Sequence, residues 1–297
     1  MTTGPASSAP PTPMRAGGRA TEDGMAFQAA VATWFAVHIL VRMPVGGRFG
    51  INNEAVPVAI RLETGEGLDD IDVSQSDGGT LQVQCKTNAN LATAPDSPLA
   101  KTIRQLVRWV ADATMVGAPR DRNRNVALLA VSAGAPRTLD NLESGCRAFD
   151  LGGTWSVTRA QRNHAERNAL NALETIAIPA WTDHRRAAPT EHDLTILARV
   201  FHVARFTMDE GASDWREASR LLGRGLFGRE AAGDAPLRDL KAIMRSLISS
   251  GAPADRAGLL QALRSRGHQD VSSPDFDADI ARLGAATRSE LARLAVH

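Results

Sequence analysis

Two neighbouring segments of the sequence carry carboxylate, amide and ammonium side chains at alternate positions. Residues 68–75 read LDDIDVSQ, residues 80–87 read TLQVQCKT, and a turn of sequence SDGG separates them. Alternation of apolar and polar residues is typical of a strand with one buried face. The two segments therefore predict a β-hairpin whose polar face gathers groups that can bind a metal ion and a phosphate.

The polar faces of the two strands predict which side chains lie together. Asp70 and Asp72 share the polar face of the first strand, and Gln82, Gln84 and Lys86 share that of the second. If both apolar faces pack on one core, two registers remain: Asp70 lies opposite Lys86, or it lies opposite Gln84. A shift by one residue would turn the carboxylates toward the core and is disfavoured. Either allowed register brings two carboxylates, two amides and one ammonium group onto one patch.

Such a patch suits metal-dependent hydrolysis of a phosphodiester. Carboxylate and amide oxygens are hard ligands that hold Mg²⁺ and leave positions open for water and phosphate. The metal ion polarises the phosphate and lowers the pKa of a bound water, and a lysine beside it orients that water or offsets developing negative charge. The alternative is an ordinary solvent-facing strand surface, on which Asp, Gln and Lys also alternate.

Three short motifs stand in order along the first part of the chain. They are Gly24-x-x-Phe27-Gln28, Leu68-Asp69-Asp70-Ile71 and Val83-Gln84-Cys85-Lys86. Together with an expected element order of α-β-β-β-α-β, they resemble the core of PD-(D/E)xK nucleases. The variant is the Asp…Gln-x-Lys one of Mrr-type restriction enzymes, and it is also similar to nuclease effectors of bacterial antiphage systems of the CBASS and Avs types. The resemblance covers residues 21–135.

The resemblance implies a role for each residue that matches the motif. Asp70 corresponds to the metal-binding aspartate, Gln84 to the acid-or-glutamine position and Lys86 to the catalytic lysine. The implied cofactor is Mg²⁺ or Mn²⁺, and the implied activity is cleavage of DNA in antiphage defence.

The identity of a second acidic metal ligand is left open by the sequence. Because Gln84 is neutral, one ligand charge is missing relative to the glutamate form of the motif. Asp72 shares the polar face and is a candidate ligand, and Glu66 or Glu22 could supply the missing charge.

Basic residues after the hairpin predict contact with DNA phosphates. Residues 98–116 have the apolar spacing of an amphipathic helix. Three basic residues share the polar face of this helix, and three more crowd the loop that follows it. They are Lys101, Arg104 and Arg108 on the helix, and Arg120, Arg122 and Arg124 in the loop. Such a stripe can grip phosphates, and the alternative is an ordinary solvent-facing helix surface.

The pattern of elements divides the chain into three parts. Residues 1–20, rich in Pro, Gly, Ser and Thr, predict a disordered tail. Residues 21–178 predict an α/β domain with a restriction-endonuclease-like core. A linker at 179–190 leads to a mainly helical region at 191–297, with one short strand at 203–208. This helical region is expected to dock a partner or to regulate the first domain, and homo-oligomerisation is left open.

Composition excludes several classes of protein. The 297 residues are 43% hydrophobic and 23% charged, as in globular proteins, and the formal net charge is only +1. Two cysteines exclude a disulfide framework and a four-cysteine zinc site. Residues 1–20 lack the apolar core of a secretory signal, and the apolar run at 26–41 is shorter than a membrane span. We therefore expect a buried core helix, no membrane contact and a cytoplasmic location.

A glycine-rich motif in the second half of the chain does not predict a dinucleotide site. Residues 223–228 match G-x-G-x-x-G, but a helical pattern precedes them, whereas a dinucleotide site needs a strand there. No cofactor-binding residues are therefore assigned. The rival to an endonuclease is a catalytically silent nucleic-acid-binding or oligomerisation module, which would not respond to divalent metal.

Overall fold

A six-stranded mixed sheet lies at the centre of the structure. The computed structural model describes residues 16–50, 54–65, 67–118 and 120–268. The strands are β1 (Pro57–Leu62), β2 (Ile71–Gln75), β3 (Thr80–Lys86), β4 (Asn125–Ser132), β5 (Phe201–Phe206) and β6 (Ala254–Asp255). Their order across the sheet is β5-β4-β3-β2-β1-β6. The strands β3, β4 and β5 are parallel, and the other neighbouring pairs are antiparallel.

Helices cover both faces of this sheet. They are α1 (Ala16–Val41), α2 (Gly46–Phe49), α3 (Pro98–Met115), α4 (Thr138–Arg147), α5 (Trp155–Ala160), α6 (His164–Arg185), α7 (Glu191–Val200), α8 (Ser213–Phe227), α9 (Asp234–Ser250) and α10 (Arg256–Ser265). One core joins the sheet to α1, α2, α8, α9 and α10, and a second core joins its other face to α3 through α7. The apolar run of β4 follows from this arrangement, because its alternate residues enter opposite cores.

Helix α1 is the core helix that the apolar run at 26–41 predicts. The segment Glu22–Val41 is long and apolar enough to cross a membrane, but 78% of its most apolar window is buried inside the structure. One side of α1 faces the sheet, and α8 and α9 pack against it elsewhere. The apolar composition on all sides of α1 thus reflects burial between two layers.

The boundary expected at 179–190 does not separate two cores. Helix α6 continues through Pro179 and ends at Arg185, so only a short connection precedes α7. The strand expected at 203–208 in the helical region is β5 (Phe201–Phe206), which is parallel to β4 in the central sheet. Helices α8 and α9 then pack on α1. The region after residue 191 therefore completes the sheet and the first core as far as residue 268.

Two sequence expectations fall at the ends of the chain. The tail expected at 1–20 lies outside the described residues up to residue 15, whereas residues 16–20 belong to α1. The part of the expected helical region after residue 268 also lies outside the described residues.

The outer edge of β5 is occupied by charged side chains. The backbone groups of alternate residues point toward the same edge of a strand. At this edge Arg147 donates to the carbonyl of Phe201, and the Val203 amide donates to Glu143 Oε2 over 2.6 Å. Arg48 donates to the carbonyl of Arg205. We call Arg48, Glu143 and Arg147 the charged edge of β5.

The G-x-G-x-x-G sequence lies in α8 and serves helix packing. A side chain at Gly223 would overlap the backbone of the 229–233 segment, and one at Gly225 would overlap Val41 of α1. Gly228 ends the helix in the left-handed conformation, at φ 66°. Across the same contact, a side chain at Gly233 would overlap the Ser219 carbonyl. The motif is thus explained by close approach of backbone segments, as its position in a helix predicts.

Candidate functional site

The register of the hairpin selects the second of the two arrangements that the sequence allowed. Strands β2 and β3 pair Ile71 with Val83 and Asp72 with Gln82. Continuing this register by one residue places Asp70 opposite Gln84. Asp70 stands immediately before β2, and Lys86 is the last residue of β3.

Asp70 and Lys86 form an ion pair where β2 begins and β3 ends. The Lys86 Nζ atom lies 3.6 Å from Asp70 Oδ2, with 16% of the Asp70 side chain exposed. The same carboxylate oxygen accepts a hydrogen bond of 2.6 Å from the backbone amide of Cys85. The carboxylate is therefore fixed at the end of β3, beside the ammonium group that the motif predicts.

Burial raises the pKa of Asp70 above its ordinary value. The positive charge of Lys86 and the Cys85 amide oppose this rise, and the charges of Asp69 and Glu63 add to it. A carboxylate held mostly out of water among other acids is a group whose charged form a cation would stabilise.

Gln84 lies beneath the surface with an unused acceptor. Its side chain is 3% exposed, and its Oε1 atom is buried without a hydrogen-bond partner among the described residues. A buried acceptor that lacks a donor is costly and is uncommon in native proteins. This oxygen is therefore available to a ligand at the position where the motif places a metal ligand.

A second carboxylate reaches the site from a residue that the sequence did not single out. Glu63, just after β1, is bound through Gln28 of α1, whose Nε2 atom donates to Glu63 Oε1 and to the Asp70 carbonyl, each over 2.8 Å. Glu63 adopts the left-handed conformation with φ 53°, which is uncommon outside glycine. The Gln28 match in the first motif was a signal for this contact, but nothing local in the sequence marks Glu63.

The other candidate acids have different positions. Glu22 forms a surface ion pair with Arg245 of α9 over 3.3 Å, with both side chains more than half exposed. Asp72 pairs with Gln82 within the hairpin. Glu66 lies outside the described residues. Among the acids that the structure describes, Glu63 thus replaces Glu22 as the neighbour of Asp70.

Asp69 has hydrogen-bond partners different from those of Asp70. Its Oδ1 atom accepts a hydrogen bond of 2.9 Å from Gln105 of α3. It lines a cavity of about 550 Å³ together with Gln82, Arg108 and Arg120. Asp69 therefore faces the α3 layer, while the Asp70 carboxylate is bound to the end of β3.

Of the six predicted DNA-contact residues, three lie on α3 and three lie in the loop that follows it. Lys101 and Arg108 are exposed on α3, and Arg104 bends back to the Pro95 carbonyl. Arg120 stacks on Trp109, with its guanidinium carbon 4.3 Å from the ring centroid.

The two remaining loop arginines are engaged within the protein. Arg122 forms an ion pair of 2.5 Å with Asp150, with only 23% of its side chain exposed. Arg124 donates to the Asp77 carbonyl in the hairpin turn. These contacts hold the 120–124 loop against neighbouring segments, so the free positive charge lies mainly on α3.

The types of donor at the hairpin are those that a magnesium-type cation uses. No group of three or more His, Cys, Asp or Glu side chains with metal-site geometry occurs in the part of the chain that the structure describes. Mg²⁺, however, is commonly held by one or two carboxylates together with waters and substrate phosphates. The carboxylates of Asp70 and Glu63 and the unpartnered oxygen of Gln84 supply such a set.

Ionisation of Asp70 should reduce the stability of the metal-free protein. Because the folded state raises the pKa of Asp70, it holds the proton more tightly than the unfolded chain does. Stability is then lost as the pH rises from the ordinary aspartate pKa of 3.8 through the raised value. Asp70→Asn, which still accepts from the Cys85 amide, should raise the melting temperature at about pH 7 in EDTA, by an amount that shrinks toward acid pH. Calorimetry of the wild-type chain and the variant, at pH 7 and at acid pH, tests this prediction. A lower melting temperature for the variant at pH 7 would contradict it.

Comparisons with known proteins find only distant structural likeness. No protein-family model matches the chain, and no curated protein matches it. A Cap4 SAVED/CARF-domain containing receptor from Moraxella osloensis has a TM-score of 0.46 at 10% identity, over 84% of this chain and 48% of that one. The Acinetobacter baumannii Cap4 receptor with the cyclic trinucleotide 3′3′3′-cAAA has a TM-score of 0.44 at 13% identity, over 84% and 47%. The chain thus spans about half the length of these structures, and at this level of likeness its activity has to be argued from its own residues.

Proposed function

We propose that this chain is a metal-dependent DNA endonuclease with a restriction-endonuclease-like core. The observation that carries the proposal is the ion pair of Asp70 with Lys86 beside Gln84, whose buried Oε1 atom has no hydrogen-bond partner among the described residues. Spacing alone was compatible with a solvent-facing strand. A solvent-facing strand would not bury Gln84 and most of Asp70, so burial favours a ligand site.

The proposed chemistry is hydrolysis of a phosphodiester. The oxygen of a water molecule bonds to phosphorus, the bond from phosphorus to the leaving oxygen breaks, and one proton of the water ends on that oxygen. A divalent cation, when bound, supplies charge that polarises the phosphate and acidifies water.

The residues of the chain orient and stabilise this reaction. Asp70, Glu63 and Gln84 would hold the cation, and Gln28 fixes Glu63 and the backbone of Asp70 relative to each other. Lys86 places a positive charge 3.6 Å from Asp70. At that position it offsets negative charge that develops on the phosphate.

Incubation of plasmid DNA with the protein tests the proposed activity. We expect nicked or linear products with Mn²⁺ and intact plasmid with EDTA. Products that form equally in EDTA would reject a metal-dependent site. An absence of both cleavage and metal binding would favour the silent nucleic-acid-binding module.

The metal site predicts a difference between two surface-accessible glutamates. Glu63→Gln removes a carboxylate next to Asp70, so the Mn²⁺ concentration that half-saturates the rise in melting temperature should increase by about tenfold, the equivalent of about 1.4 kcal/mol. Glu22→Gln is the matched control, because Glu22 pairs with Arg245 and should leave the metal response unchanged. Equal effects of the two variants would remove Glu63 from the site.

DNA binding should depend on the exposed basic residues of α3. Replacing both Lys101 and Arg108 with glutamine should weaken binding and lower the slope of log affinity against log salt by about 2, because two phosphate contacts are lost. Arg122→Gln is the comparison, since its ion pair with Asp150 predicts a loss of stability instead. Fluorescence polarisation over a salt series measures the slope, and an unchanged slope in the double variant would make this face an ordinary solvent-facing surface.

The place of this activity in antiphage defence is part of the proposal and rests on the motif resemblance. Expression in bacteria that are challenged with phage tests it, with the Lys86→Ala variant as control. The expected result is protection by the wild-type chain and none by the variant. Equal numbers of phage plaques on bacteria that express the wild-type chain and on bacteria that express the variant would overturn the defence role.

A further inference from the structure

A second cavity opens at the end of β3, and its lining residue Thr87 directly follows Lys86 in the sequence. The parallel strands β3, β4 and β5 all end at this edge, and Thr87 and Ser132 follow or close two of them. The cavity measures about 260 Å³ and lies between these strand ends and the 23–30 segment of α1. Phe27, which lines it, is next to Gln28, the residue that binds Glu63. Two residues that line the cavity, Phe27 and Thr87, are thus the sequence neighbours of the site residues Gln28 and Lys86.

The interior of this cavity is apolar and aromatic. Phe206 and Met208 are buried beneath it, and Phe27 forms a half-buried wall. The ring on which a nucleobase can stack is Phe27, since Phe206 is only 2% exposed and the Arg48 guanidinium lies 4.2 Å over its ring centroid.

The rim of the cavity carries acceptors and one cation. Asp23, Asp209 and Lys241 line it, and within the described ranges no ion pair joins them or engages either carboxylate. Two carboxylates against one ammonium give the rim a net negative charge, so the cavity itself suits a neutral group instead of a phosphate. A carboxylate accepts well from the exocyclic amine of a base such as cytosine.

The size of the cavity limits its occupant to a small planar group. Clefts for drug-sized ligands measure about 300–1,000 Å³, and this one is slightly smaller. A single nucleobase fits that size, whereas a stacked base pair does not. A base that enters has to leave its pair, as bases do in enzymes that flip nucleotides or act on single strands.

We propose that this cavity binds one unpaired nucleobase that carries an exocyclic amine, next to the phosphate that is cut. The inference rests on the proposed nuclease function for its meaning, since it makes the substrate DNA with an unpaired nucleotide at the cut. The base itself is recognised by the cavity alone, and its binding requires neither metal nor cleavage.

Binding of nucleosides without phosphate tests the cavity directly. Saturation-transfer NMR on the intact chain in EDTA should show deoxycytidine binding at least about fivefold more tightly than thymidine, which lacks the amine. The double variant Asp23→Asn/Asp209→Asn should lose this preference, because amides offer donors as well as acceptors. Equal binding of the two nucleosides to the wild-type chain would overturn the proposal.

A substitution that changes no charge tests the same cavity by filling it. Ala26 lines the cavity on α1, and Ala26→Leu should fill it and reduce deoxycytidine binding by about tenfold or more while α1 remains helical. Met25→Leu, on the exposed side of the same helix, is the control and should bind like wild type. Unchanged binding by Ala26→Leu would also reject the cavity.

The two proposals fail in different ways. Lys86→Ala should bind deoxycytidine as the wild-type chain does. If the nucleoside preference holds and the wild-type chain never cleaves DNA, the base cavity stands and the nuclease function is rejected. If the chain cleaves DNA and the preference is absent, the nuclease stands and the base cavity is rejected.

Discussion

Lys86→Ala should lower metal-dependent cleavage of DNA by at least about 100-fold, because loss of a preorganised charge-stabilising group has effects of that size. Asp70→Asn should cause a similar loss, since it removes the buried carboxylate that pairs with Lys86. The asparagine keeps an acceptor for the Cys85 amide, so this variant separates lost chemistry from lost folding. Initial rates on plasmid DNA with saturating Mn²⁺ measure both effects.

Asp69→Asn is the matched control for this experiment. Asp69 stands one residue from Asp70 but accepts from Gln105 in the α3 layer, so its conversion to asparagine should retain most of the activity. Melting temperatures establish that each variant is folded. Full activity in Lys86→Ala, or a loss in Asp69→Asn equal to that in Asp70→Asn, would reject the assigned site.

Gly233→Ala should be among the most destabilising single substitutions in the chain. Its added methyl group would overlap the backbone carbonyl of Ser219, and a backbone atom cannot rotate away as a flexible side chain does. Overpacking of this kind costs about 3 kcal/mol, which corresponds to a fall of about 6–12 °C in melting temperature for a chain of this size class.

Gly47→Ala provides the comparison for this glycine. Gly47 has open space where a methyl group would be added, and its substitution should change stability by less than about 0.5 kcal/mol. Gly223→Ala, on the other side of the same contact as Gly233, should be destabilising as well. Urea unfolding measures all three, and wild-type stability of Gly233→Ala would show that the α8 contact can relax.

The alternation of residues in the hairpin was enough to predict which side chains share a face. It could not choose the register, because a shift of two residues keeps every side chain on its own face. The pairing of Ile71 with Val83 settles that choice. The hydrogen bond from Gln28 to Glu63 joins residues 35 positions apart, and Glu63 has a left-handed backbone, so no local sequence pattern could predict this contact.

The boundary expected at 179–190 depends on contacts that the sequence does not reveal. Pro179 and the polar residues after it resemble a linker, but a proline near the end of a long helix can be tolerated when packing compensates for its lost hydrogen bond. Strand β5 lies about 70 residues beyond β4, and their parallel pairing leaves no mark in either segment. The ion pair of Arg122 with Asp150 was hidden for the same reason, since solvent exposure and engagement of an arginine depend on distant acids.

The charged edge of β5 bears on how copies of this chain can associate. An edge strand with free N–H and C=O groups accepts an additional strand from another molecule, which is a route to swapped dimers and fibrils. At β5 the carbonyl of Phe201, the amide of Val203 and the carbonyl of Arg205 are already bound by Arg147, Glu143 and Arg48 respectively. An incoming strand would have to displace these charge-assisted hydrogen bonds and leave the displaced charges without their partners. Growth of the sheet across β5 is therefore disfavoured, and self-association at this end of the molecule must occur through side chains instead of shared backbone.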